Sequence, residues 1–213
     1  GGFVENIRQA SIATLSEREK GLLGALIEKL PEPKDPLADL KPRKVVQEWK
    51  TSDLLSGLEG KSSGFDFERG KQMFAVGLCY KCHRFGGQGG IQGPDLTGAG
   101  GRFNSKDLLA AIVEPNKEIS DQYQATQFVT EDGDVVVGRV ANLNGDTLQI
   151  MTNMLDPGNF KGLKRDAITV AKPSPNSMMP SGLLDTLAKD EVADLVAYLK
   201  SGGNAKSPIY QTK

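Results

Sequence analysis

The chain has 213 residues, 38% of them hydrophobic and 25% charged, with a formal net charge of −1. That is an ordinary globular composition for one large or two small domains, and it excludes the basic footprint of a nucleic-acid or anionic-membrane binder. Apolar runs of a few residues are too short to cross a bilayer, and two cysteines cannot build a disulfide framework.

In chain order, residues 11–30, SIATLSEREKGLLGALIEKL, predict a helix. Ser16 with Glu19 three residues on is a capping signature, and Leu22, Leu23, Leu26, Ile27 and Leu30 recur at helical spacing, weakened by Gly21 and Gly24. Four prolines make 31–44 connecting chain, and one or two short helices fit Val45–Leu58. Residues 1–63 read together as a helical N-terminal extension with no recognisable chemistry. The opening Gly1-Gly2 reads as a remnant, and no secretory leader is visible.

From Phe67, FERGKQMFAVG predicts a helix with Phe67, Gly70, Met73 and Phe74 on one face. It leads into Cys79-Tyr80-Lys81-Cys82-His83, which holds both cysteines and the only histidine of the chain. The glycine-rich run 84–103 is expected to be neither helix nor regular strand, and to wrap something. SKDLLAAIVEP (105–115) predicts a helix capped by Ser105 and stopped before Pro115. The apolar period then drops to two around Asp132-Gly133 and Asn144-Gly145, both hairpin signals, and 166–173 adds another strand. Residues 119–172 therefore predict a small antiparallel β insertion, an SH3- or Sm-like barrel. The helical period returns before the end, with Val192, Leu195, Val196 and Leu199 as a buried stripe stopped by Gly202 and Gly203. Residues 204–213 form a tail.

The pentapeptide carries the chemistry. A thioredoxin-like dithiol should follow a strand, whereas this one follows a predicted helix. A structural zinc site wants four nitrogen or sulfur ligands, and this chain offers three in Cys and His. C-x-x-C-H fits covalent haem instead: two thiols add to the vinyl groups on one edge of the porphyrin while the adjacent imidazole reaches the iron.

Gly70, Phe74, Cys79, Cys82, His83, then GPDLTG (93–98), then Met-Pro ahead of a last helix with LVAYL (195–199), resembles the class I c-type cytochromes. The run CHRF…GG…GPDLTG…R with an SMMP-GLL ending is most similar to the C-terminal haem-binding domain of large secreted dehydrogenase-like proteins of planctomycete and verrucomicrobial type. The resemblance spans 64–203 and implies a mainly α, cytochrome c-like haem domain interrupted by the β insertion. It also implies that Gly70 lets the N- and C-terminal helices cross, and that the Pro94 carbonyl orients the imidazole of His83.

As the sole histidine, His83 requires a different distal ligand, and the resemblance places it at the methionine of Met-Pro. Met179 is thus preferred over Met178, while Met73, Met151 and Met154 read as packing. Arg102 is the candidate partner of a haem propionate, or else an exposed loop arginine. A His83/Met179 pair leaves no open iron position, so the expected function is electron transfer through one haem c rather than catalysis. The alternatives are a haem enzyme or a redox or gas sensor with a labile distal methionine, and an interaction module stapled by haem. The implied partners are redox proteins or a fused dehydrogenase domain, without nucleic acid or a transmembrane segment. The implied location is periplasmic or otherwise exported.

Overall fold

The computed structural model describes residues 11–24, 38, 40–58 and 64–211. The chain divides into two compact units, 1–35 and 36–213. In the first, helix α1 (Glu17–Leu23) starts with the anticipated capping box, the Ser16 hydroxyl accepting the Glu19 N–H and the Glu19 carboxylate accepting the Ser16 N–H. Leu22 and Leu23 are exposed, so the apolar spacing buries nothing within this helix. Leu26, Ile27 and Leu30 lie outside the described residues.

The second unit is built on helix α3 (Phe67–Val76) crossing helix α7 (Lys189–Lys200), with α2 (Thr51–Leu58) ahead of α3 and the elements introduced below between α3 and α7. Asp66 caps α3 by accepting the Arg69 N–H at 2.9 Å. The crossing depends on Gly70, because a Cβ there would stand 2.3 Å from the Asp194 carbonyl oxygen and 2.9 Å from the Tyr198 Cβ. Met73, Phe74 and Ala75 are buried as the helical spacing requires, and Phe67 is half-buried.

Helix α7 buries more than the predicted stripe. Every residue from Val192 to Leu199 is buried, including Asp194. That carboxylate is compensated by the Arg69 guanidinium and by the Asp66 N–H at 3.1 Å, while Arg69 also reaches Asp190 at 2.8 Å. Phe74, Tyr80, Phe85 and Tyr198 form one aromatic cluster, with the Tyr80 and Tyr198 hydroxyls 3.3 Å apart.

The expected boundary at 63/64 does not divide this packing. Leu54 of α2 lies in the same core, and Trp49 packs against it. Ahead of α2 residues 40–50 form a strap with neither helix nor strand: the Val46 and Gln47 N–H groups donate to the Asp185 carbonyl, and the Trp49 indole N–H to the Leu187 carbonyl at 3.0 Å.

The glycine-rich run is more regular than its composition predicts. After a short helical turn α4 (Cys79–Cys82), strands β1 (Arg84–Phe85) and β2 (Gln88–Gly89) pair across Gly86-Gly87. Both glycines have positive φ, which a two-residue hairpin turn demands. Ala99–Arg102 then forms one helical turn, α5. Helix α6 (Ser105–Val113) is capped not by Ser105 but by Asn104, whose side chain accepts the Asp107 N–H at 2.9 Å.

Five antiparallel strands follow: β3 (Thr126–Thr130), β4 (Val135–Asn144), β5 (Thr147–Met151), β6 (Phe160–Lys164) and β7 (Ile168–Pro173). Their order is β6-β5-β4-β3-β7, with bulges at Val129/Thr130 and Val140/Asn142. Phe128, Val136, Ile150 and Leu163 make the sheet's own small core. Both anticipated hairpins are present, at Asp132-Gly133 and Asn144-Gly145. Among the described residues no helix is long and apolar enough to cross a membrane.

Candidate functional site

Helix α3 ends one residue short of a sharp redirection. Leu78 takes a left-handed conformation, φ 57°, and is the only non-glycine residue with positive φ among the described residues. It turns the chain into α4, where Cys79 and Cys82 stand three apart on one turn and so emerge as neighbours. Neither is in a disulfide. The Cys79 thiol faces the Gly77 carbonyl and the Cys82 thiol the Met154 carbonyl, each at 3.7 Å.

Burial pushes the Cys79 thiol up to about 12 and raises that of Cys82, against a small opposing pull from Lys81. A dithiol serving as a redox nucleophile needs the reverse shift, toward thiolate. These cysteines are neutral thiols, the form that adds across a vinyl group.

His83 follows in extended conformation. Its Nδ1 donates to the Pro94 carbonyl at 2.9 Å; the tautomer is set because a carbonyl can only accept. Burial lowers the imidazole's pKa, partly offset by this hydrogen bond, and keeps the ring neutral. The Nε2 lone pair is thereby directed away from Pro94 and suited to a metal. Gly93 lies flat against the ring, since a Cβ there would come within 2.8 Å of both Cε1 and Nδ1.

What the glycine-rich run wraps is the pentapeptide itself. The Gly90 N–H donates to the Tyr80 carbonyl, Gly93 to Cys82 and Leu96 to Arg84. Two cavities are lined by residues that approach the chain around the cysteines. One, of about 110 Å³, lies between Trp49, Ile112, Val113 and Leu183, and the Leu183 carbonyl approaches Gly77 beside Cys79. The other, of about 280 Å³, is lined by Val137, Met154, Leu155, Met178 and Pro180, with Met154 against Cys82.

Met178 and Met179 are both half-buried in the loop before α7. The loop is braced by the Ser177 N–H donating to the Asn116 side chain at 2.7 Å, and by the Met179 N–H donating to the Ser177 hydroxyl at 3.1 Å. Met73, Met151 and Met154 are buried, in keeping with their reading as packing. Arg102 is exposed, its guanidinium carbon 5.7 Å from the centre of the Phe103 ring, and its charge is among those that lower the Asp95 carboxyl pKa. Among the described residues no three Cys, His, Asp or Glu side chains converge on a metal-sized point.

Residues 67–133 match the family model described as Cytochrome c. The matched stretch is a cytochrome c domain. A comparison with curated proteins gave no match. Both cysteines of the chain lie in the cytochrome c domain, and its cofactor is haem c, attached through Cys79 and Cys82. The match stops at Gly133, in the turn after β3, although the helix that packs across α3 lies at Lys189–Lys200. Three contributors escaped the sequence reading: Arg139, the Met154 carbonyl and the Trp49 strap. None has a local signature, because each acts across a long stretch of chain.

Proposed function

We propose that the chain is an electron-transfer protein in which His83 and Met179 would hold the haem iron. The bound haem c supplies reversible one-electron exchange at iron. The chain tethers it through Cys79 and Cys82, presents Nε2 of His83, holds the Nδ1 proton on the Pro94 carbonyl, and keeps Gly93 against the imidazole face. The observation that carries this reading is the 2.9 Å bond from His83 to Pro94, which orients a neutral imidazole whose other nitrogen is free to bind metal.

The packing of α3 on α7 supports a haem domain over 64–203 with the sheet inserted at 119–172. A last strand that returns to pair with the first supports the SH3- or Sm-like description of that sheet. A domain from a large secreted dehydrogenase-like protein, located in the periplasm or exported and exchanging electrons with a redox partner, fits this organisation.

Met178 is the second candidate ligand, because it lines the cavity beside Met154. Absorption spectra of the matured protein separate the two. Met179→Ala is expected to convert a low-spin ferric haem to high spin, while Met178→Ala leaves it low spin. The reverse pattern reassigns the ligand. A wild-type protein that is already high spin and binds carbon monoxide or cyanide rapidly would favour the enzyme or sensor instead.

A further inference from the structure

Arg139, on β4, reaches out of the sheet to the loop that faces His83. Its Nη1 donates to the Gln92 carbonyl at 2.6 Å and its Nη2 to the Gln122 carbonyl at 3.3 Å, while the guanidinium carbon sits 5.2 Å from the centre of the Tyr123 ring. A planar, forked cation serves two carbonyls and one aromatic face at once, which a lysine ammonium cannot do in the same way.

Gln92 directly precedes the two residues that define the imidazole's surroundings. Gly93 lies on the ring and donates its N–H to the Cys82 carbonyl at 2.8 Å; Pro94 accepts the Nδ1 proton. The chain just beyond β5 touches the pentapeptide itself, where the Met154 carbonyl faces the Cys82 thiol.

We infer that Arg139 is a positioning residue: by holding the Gln92 carbonyl it keeps Gly93-Pro94 pressed on His83 and sets the Pro94–His83 hydrogen bond. The sheet is then a determinant of how strongly the histidine donates to iron, because a firmer bond at Nδ1 makes Nε2 the better donor. This role rests on the haem reading above.

The test is solvent exchange of the His83 Nδ1 proton, followed by NMR in the reduced, haem-loaded protein, with the reduction potential measured on the same samples. Arg139→Ala is expected to speed exchange about tenfold, as loss of a charge-assisted bond at the loop would. Its potential should move away from the wild-type value. Arg139→Lys should fall between the two and guards against misfolding of the alanine variant. Ile150→Val weakens the sheet core without touching the loop, and should leave both exchange and potential unchanged. Wild-type exchange in haem-loaded Arg139→Ala, or equal acceleration in Ile150→Val, overturns the role of Arg139 alone. Wild-type protein that matures without covalent haem would sink the proposed function instead.

Discussion

The helical core and the sheet of this chain are held together in different ways. The helical core joins residues far apart in sequence: Trp49 to Leu187, Gly70 to Asp194, and Phe74 to Tyr198. Its centre is apolar and interlocked, with Phe74, Leu109, Leu187 and Leu195 fully buried. The sheet is mostly a succession of local hairpins around four buried side chains, and it leaves Val140, Leu143, Phe160 and Val170 exposed. The lesson is one of cooperativity. The helical core exists only when both ends of the unit meet, whereas most of the sheet can pair from neighbouring sequence.

The largest expected effect tests the interlock. Gly70→Val should cost about 3 kcal/mol or more, since the obstacle is helix backbone that cannot give way, and calorimetry should register it as a large drop in Tm. Next, Ile150→Ala should remove about 2 to 4 kcal/mol from the sheet's small core. Hydrogen exchange should then quicken across β3–β7 while α7 amides stay protected; uniform loss would mean that the two regions unfold as one. Smallest, Trp49→Phe deletes the indole bond to the Leu187 carbonyl and should lower stability by about 1 kcal/mol in a urea melt. An unchanged midpoint would place the strap outside the helical core.

Regular periodicity carried much of the fold. The spacing of Gly70, Met73 and Phe74 and the hairpin signals at Asp132-Gly133 and Asn144-Gly145 point to the elements that form, because each reports a local conformational preference. The glycine-rich run differs from its expectation for the opposite reason. Composition alone said irregular, but Gly86-Gly87 sit at the two positions where a tight hairpin requires positive φ. The cap of α6 is Asn104, one residue ahead of the expected Ser105, since both residue types can cap and only the backbone geometry chooses between them. The spacing in helix α7 predicts a one-sided stripe, yet it is buried nearly all round because packing arrives from several directions.

Residues 79–83 carried the chemistry, because two thiols and an adjacent imidazole at that spacing fit covalent haem, while the preceding helix and the chain's count of three Cys and His residues speak against a redox dithiol and a zinc site. Only tertiary structure decided what shields Cys82 and that an arginine of the sheet braces the loop ahead of Pro94. Those contacts span 72 and 47 positions, and they follow from how whole elements pack rather than from any pattern a short window of sequence can hold.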